Sequence, residues 1–343
     1  MIDLRSDTVT QPTEAMLESM REATLGDDSR DGDPTVMKLE QLAAERMGKE
    51  AGAFMPSGTM ANLVAMLTHA QRGGEVLIDE GSHTLNAELG GIAAVAGLFY
   101  RGIPGRRGAM AIEALREAVR PTLRNQMGTA IIWMENTHNR AGGAALPLDH
   151  MQAVYTLARE NAVPVHLDGA RIFNAAAALK TEAAQVAQHA DSVCFCVSKG
   201  LSAPVGSVLC GANAFIERAR AFRRMVGGNM RQAGPLAAAG IVALETMVDR
   251  LVEDHRTAKR LAEGLHRIDS SLVDPREVDT NLVRVEVGKS DRRAGQWSAD
   301  LKQKGILVSP CALYALRFVT HRHIGEAEID ATVGAFGELW HRT

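Results

Sequence analysis

The sequence predicts an α/β protein, with a large domain on a mostly parallel sheet flanked by helices and a smaller α+β domain after it. Three observations predict this. Short apolar runs alternate with helical patterns from about Ala51 to Gly211, as strands joined by crossover helices do. From Met247 to Leu265, apolar residues recur at helical spacing, as expected of one long helix joining two domains. At 343 residues, the chain also exceeds what one ordinary hydrophobic core serves.

Taken in order, residues 1–11 read as an arm, residues 12–246 as the large domain and residues 247–343 as the small one. In the large domain, Phe54-Met55-Pro56 ends a strand, and Leu63, Met66, Leu67 and Ala70 follow with helical periodicity. Val76-Leu77-Ile78, Val163 to Asp168 and Ser192 to Val197 are further buried runs. In the small domain, Asn281 to Val287 reads as a strand and Ala294 to Lys304 as a helix. Gly305 to Ser309 and Leu316 to Thr320 read as strands, and a final helix starts near Gly325. There is no internal repeat and no low-complexity linker.

The chemistry concentrates where apolar runs stop. Lys199 follows Ser192-Val193-Cys194-Phe195-Cys196-Val197-Ser198. A buried ammonium is costly, so a lysine aimed inward from a strand end needs a reason. One reason is a covalent bond to an aldehyde cofactor, formed by the neutral amine; the alternative is a surface lysine before the Gly200 turn. Asp168 ends the strand Val163-Pro164-Val165-His166-Leu167-Asp168, where open α/β sheets place ligand chemistry. Pyridoxal phosphate enzymes pair such a lysine with an acid that keeps the ring nitrogen protonated; the alternative for Asp168 is a helix cap. His166, two residues back, shares its face.

Ser57, Gly58 and Thr59 open a helix, where backbone amides and two hydroxyls suit a phosphate. The same residues are also ordinary capping chemistry. His83 follows the run ending at Ile78 and would stack on a flat ring or stand as a loop histidine. The order phosphate loop, histidine, aspartate, lysine is more specific than any of its members.

With those residues in place, the chain resembles the L-threonine aldolases, a branch of the aspartate-aminotransferase-like pyridoxal phosphate enzymes. The resemblance spans nearly the whole chain. It rests on Asp3-Leu4-Arg5-Ser6-Asp7-Thr8, Pro56-Ser57-Gly58-Thr59-Met60-Ala61-Asn62 and Glu135-Asn136-Thr137-His138-Asn139. It continues through His166-Leu167-Asp168-Gly169-Ala170-Arg171, Ser198-Lys199-Gly200-Leu201, Met230-Arg231-Gln232 and Arg317-Phe318-Val319-Thr320-His321.

The resemblance implies pyridoxal 5'-phosphate as cofactor, with Lys199 bonded to it, Asp168 at the ring nitrogen and His83 stacked on the ring. It implies that Gly58 and Thr59 hold the phosphate, helped by Arg231 from a neighbouring subunit of a homo-oligomer, either a dimer or a tetramer. Ser6, Arg171 and Arg317 would grip the substrate carboxylate, a task that suits the planar fork of arginine. The implied reaction cleaves L-threonine, L-allo-threonine or a related β-hydroxy-α-amino acid to glycine and an aldehyde. The alternative is a β-eliminating amino acid lyase using the same cofactor residues. Two positions depart from the family. Arg30 stands near a usual tyrosine, and counting back from Glu135 gives Asn125 where a histidine near the substrate hydroxyl is frequent.

Composition excludes other classes. A net charge of -3 does not favour a nucleic-acid surface. The arginines at 218, 220, 223 and 224 read as the solvated face of a helix, and Arg106-Arg107 as a solvated turn. Cys194, Cys196, Cys210 and Cys311 lack metal spacing and suit a reducing cytoplasm. His321-Arg322-His323 with Glu326 reads as a strand end entering a surface helix, so no metal is expected. The opening residues lack the apolar core of a leader, and no stretch is long enough to span a bilayer, so no membrane partner is expected.

Overall fold

The computed structural model describes residues 1–123 and 127–341. The arm begins with β1 (Ile2–Asp3), and the large domain opens with α1 (Glu14–Glu22) and α2 (Pro34–Met47). Then follow β2 (Ala51–Met55), α3 (Gly58–His69), β3 (Glu75–Asp79), α4 (His83–Ala87), β4 (Phe99–Ile103) and β5 (Thr129–Glu135). The series continues with α5 (Leu148–Glu160), β6 (Val165–Asp168), α6 (Ile172–Leu179), β7 (Ser192–Cys196), β8 (Ser207–Gly211), α7 (Asn213–Met225) and α8 (Gly234–Thr246). These strands form one seven-stranded sheet in the order β2-β8-β7-β6-β5-β3-β4, parallel except for β8.

Strand alternation divides the core into two layers. Ile132, Leu167, Phe195 and Val208 point to the layer that also holds α2 and α5. Ile131, Trp133, Cys194 and Leu209 point to the layer under α3 and α7. Side chains of period two therefore feed both faces, as a sheet covered on both sides requires. Register sets the depth of each polar residue. Glu135 lies opposite Asp168, which lies opposite Cys194, at the C-terminal ends of β5, β6 and β7. Trp133, His166 and Ser192 form the row beneath.

The C-terminal region comprises α9 (Leu251–Ile268), β9 (Leu282–Glu286), α10 (Ala294–Gln303), β10 (Ile306–Leu307), β11 (Ser309–Ala312), β12 (Ala315–Val319) and α11 (Glu326–Trp340). An antiparallel sheet β9-β12-β11 packs on these helices around Trp297, which stacks on Phe336 at 4.6 Å. The arm is stitched to this second core: β1 pairs with β10 in parallel, and Leu4 is fully buried in the same cluster.

Three expectations change. The helix expected from Met247 begins at Leu251, because α8 ends at Thr246 and residues 247–250 turn. Met247 and Leu251 both enter the same core, so apolar spacing persists across the break. The arginine-rich segment is not simply a solvated face. Arg223 is only 2% exposed; it donates to Asp28 Oδ2 and to the Phe54 carbonyl, each at 2.7 Å. Arg220 bonds to both Glu40 oxygens. Their acidic partners lie far away in sequence, which is why charge counting on α7 alone misplaced them. Likewise, Arg107 is no free turn residue; it bonds to Asp279 at 2.6 Å and ties the segment after β4 to the C-terminal region.

Removing one partner of a buried ion pair strands the other charge. Arg223→Met is therefore expected to destabilise the protein by about 3–5 kcal/mol. Urea denaturation checks this, and a loss below about 1 kcal/mol would show that the pair is dispensable.

Candidate active site

A cavity of about 410 Å³ opens at the C-terminal ends of the parallel strands. It is lined by Thr8, Ser57, Gly58, Thr59, Asn62, His83, Glu88, Glu135, Thr137, Asn139, Asp168, Ala170, Arg171, Cys196, Lys199 and Gly206, among others. Thus Ser57, Gly58, Thr59, His83, Asp168, Arg171 and Lys199, separate in sequence, share one wall. Asp168 is the last residue of β6, and the others lie on the loops and helix starts that follow strand ends.

Ser57 caps α3 by accepting from the Met60 amide at 3.1 Å. A Cβ on Gly58 would meet Cys196 Sγ at 2.9 Å, so the loop keeps glycine where Cys196 packs against it. Gly206, at φ +116°, closes the loop after Lys199; any side chain there would strike the Phe54 ring at 2.4 Å. Lys199 itself lies three residues beyond β7, half-buried, and its ammonium has no hydrogen-bond or ion-pair partner among the described residues.

Asp168 is 3% exposed and has no cationic partner within 4 Å among the described residues. Its Oδ2 accepts from Asn62 Nδ2 at 2.8 Å and Thr84 Oγ1 at 3.4 Å, and its Oδ1 accepts from the Ala170 amide. The capping bond and the inward-facing oxygen coexist, so the two readings of Asp168 are not exclusive. Asn62 also donates to Glu88 Oε1 at 2.8 Å and accepts from Cys194 Sγ. Glu88 in turn holds His83 Nδ1 at 3.1 Å. Polar atoms of His83, Glu88 and Asp168 all lie within 4.8 Å of one another.

That crowding shapes titration. The hydrogen bond from Glu88 raises the His83 imidazole above its ordinary value, against the opposing effect of burial. Burial also pushes the Glu88 carboxyl up, and the nearby Asp168 carboxylate adds to this. Glu135 anchors the site from below: one oxygen accepts from the His83 amide at 2.6 Å, the other from the Asn139 amide at 2.7 Å. His166 shares the face of Asp168 but lies one row deeper. Its ring packs tilted against Trp133 at 4.2 Å and bonds Ser192 Oγ, and burial pushes its pKa well below the usual range.

Arg171 gives its Nε and Nη2 to the two oxygens of Asp7, at 2.7 and 2.6 Å. Burial opposes the charge on Asp7, yet Arg171 outweighs it and holds the carboxyl far below its usual range. Only the remaining Nη1 side of Arg171 is left for a substrate. Thr8, rather than Ser6, lines the cavity; Ser6 caps the turn at Asp7–Val9. Arg317 lines an adjoining cavity, donating to Asn139 Oδ1 at 3.1 Å and the Arg5 carbonyl at 3.2 Å. Arg231 lies outside the lining of both cavities, 64% exposed and bonded to Ser29. Asn125 lies outside the described residues.

The residues fit pyridoxal phosphate. An amide-rich helix start, an inward carboxylate with no counter-charge and an unpartnered amine face one cavity. Thr137 Oγ1 also lines it, buried with no partner. Comparison with known proteins agrees. A family model described as beta-eliminating lyase matches residues 3–288. The low specificity L-threonine aldolase of Escherichia coli K12 is 40% identical over 98% of this chain and 99% of its own length. The low-specificity L-threonine aldolase 1 of Arabidopsis thaliana is 39% identical over 98% of this chain and 95% of its own. The chain belongs to the L-threonine aldolase family. A solved threonine aldolase from Leishmania major, at 17% identity, shares the fold with a TM-score of 0.82, covering 99% of this chain and 100% of that one.

Sequence reading gave no role to Asp7, Thr8, Asn62, Thr84, Glu88 or Glu135. Asp7, Thr8, Asn62 and Glu135 sit inside the strings that carry the family resemblance, which was the available signal. Thr84 and Glu88 follow His83 at one and five residues, and only the helix turn brings them together.

The raised His83 pKa has a signed consequence. The attraction between imidazolium and Glu88 is fully present below the ordinary 6.5 and is lost as pH rises through the folded value. In Glu88→Gln, the imidazole is expected to titrate at lower pH than in the parent protein. NMR of the His83 ring checks this; an unmoved midpoint would remove Glu88 from the account.

Proposed function

We propose that this protein cleaves L-threonine, L-allo-threonine or a related β-hydroxy-α-amino acid to glycine and an aldehyde, reversibly. The observation that carries the reading is the shared cavity of Lys199, Asp168, His83 and the Ser57–Thr59 loop, in a chain about 40% identical to proteins named as threonine aldolases. Pyridoxal 5'-phosphate, when bound, supplies an electron sink for the bond that breaks. The amides and hydroxyls of Ser57, Gly58 and Thr59 would hold its phosphate, and Arg231 of this chain would reach the site of another copy. Asp168 keeps the ring nitrogen protonated, and Asn62, Thr84 and the Ala170 amide fix the carboxylate that does so. Lys199 would supply the amine that anchors the cofactor in the cavity.

Arg317 binds the α-carboxylate, with the free side of Arg171 beside it. His83 stands as the base. Glu88 occupies Nδ1, which leaves Nε2 to take the hydroxyl proton. The Cα–Cβ bond then breaks with its electron pair left toward Cα, the Cβ oxygen becomes the aldehyde carbonyl, and Cα regains a proton to give glycine. The rival, β-elimination of an aromatic amino acid, would release pyruvate and ammonia from the same cavity. The relatives' names favour the aldol reaction. The exposed Arg231 supports a homo-oligomer, a dimer or tetramer, and the four unpaired cysteines support a cytoplasmic setting. Among the described residues, no helix is long and apolar enough to cross a membrane.

Lys199→Ala is expected to keep the fold and lose turnover; residual threonine cleavage by the purified variant would sink the assignment. His83→Asn is expected to lower kcat by about 10²–10⁴-fold, the usual worth of a positioned base. Steady-state kinetics on threonine, with glycine and aldehyde quantified separately, read both variants; no glycine from threonine but pyruvate with ammonia from an aromatic amino acid would install the rival instead.

A further inference from the structure

Beside the catalytic cavity lies a second one of about 200 Å³, which shares His83 and Asn139 with it. Three arginines line this annex: Arg140, Arg284 and Arg317. Arg284 on β9 and Arg317 on β12 are direct cross-strand partners, and like charges set opposite one another destabilise a sheet. The counter-charge is thin. Arg284 Nε bonds Glu286 Oε1 at 2.7 Å, but that carboxylate is half-exposed. Arg140 bonds only the neutral Asn86 oxygen, at 2.6 Å, and Arg317 bonds only neutral oxygens; among the described residues neither has an acidic partner within 4 Å. Arg317 Nε is buried with no partner at all. Burial, and then the neighbouring Arg171, depress the Arg317 pKa, against the opposing pull of Asp7.

We propose that this annex receives the substituent on Cβ, and that the substrate class is a β-hydroxy-α-amino acid whose side chain carries a second acidic group, a carboxylate or a phosphate. The proposal rests on the aldol reading above. In that reading Arg317 takes the α-carboxylate, and the annex begins at His83, the group that meets the Cβ hydroxyl. Two arginines then remain against one exposed glutamate, and an anion at the far end of the side chain supplies the missing charge. Guanidinium bonds to a carboxylate or phosphate are charge-assisted and two-pronged, so they select the anion over an uncharged group of similar size.

The test is condensation of glycine with four aldehydes by the cofactor-loaded enzyme: acetaldehyde, glyoxylate, succinic semialdehyde and glycolaldehyde phosphate. The expected result is a kcat/KM about 10- to 100-fold higher for at least one anionic aldehyde than for acetaldehyde, the range of one or two charged hydrogen bonds. The arm that rises tells carboxylate from phosphate. Arg140→Met and Arg284→Met are each expected to cut the anionic-to-acetaldehyde ratio at least tenfold, with Arg140→Lys restoring part of it. A parent ratio near one, or a ratio unmoved by both Met variants, overturns the proposal while acetaldehyde turnover leaves the aldol reading standing. No condensation with any aldehyde overturns both.

Discussion

The buried pair between Asp7 and Arg171 is the constraint on which the site depends. It joins the arm to the turn after β6, at the floor of the cavity, with Asp7 fully buried and Arg171 nearly so. Asn281, just before β9, donates to the same carboxylate at 3.2 Å, so three separate parts of the chain meet on one charge. Thr10 adds a bond from its hydroxyl to the Lys199 carbonyl at 2.8 Å. Burying a charge is costly unless it is paired or hydrogen-bonded, so each of these partners offsets part of the cost of burying Asp7. The pair thereby sets the position of Lys199, of the β6 turn and of the C-terminal region relative to one another.

A second network acts on the chemistry directly. Asn62 has two amide hydrogens and faces oxygens from Asp168, Glu88 and Thr84. Sharing two protons among three acceptors keeps the Asp168 carboxylate oriented without giving it a neutralising cation. That is the state which the proposed role of Asp168, opposite a protonated ring nitrogen, requires. Glu135 performs the matching task on the other side, holding the amides of His83 and Asn139 with one carboxylate.

How far the site was legible in the sequence follows from how local each residue's meaning is. Lys199, Asp168 and Ser57–Thr59 announce themselves because their strand-end or helix-start context is encoded within ten residues on either side. The alternation of strands and helices from Ala51 to Gly211 is local in the same sense, and the fold followed from it. Glu88, Asp7 and Arg223 carry no such signature, since each is defined by a partner 5, 164 or 195 residues away. An exposed-looking arginine on α7 and a pinned one are identical as letters. The helix start at Leu251 was hidden for a related reason: burial, not helicity, generates apolar spacing, and a tight turn can preserve it.

The pairing of β1 with β10 has a consequence for how the molecule comes into being. Ile2 leaves a ribosome about three hundred residues before its partner Ile306. Throughout synthesis the arm must wait unpaired, with Leu4 and Asp7 in water, while the large domain closes its own core behind it. The loop that must finally be closed spans nearly the whole chain, and entropy makes such closures late ones. The catalytic floor is therefore assembled after almost everything else, so a nascent chain can be largely folded and still have no working site.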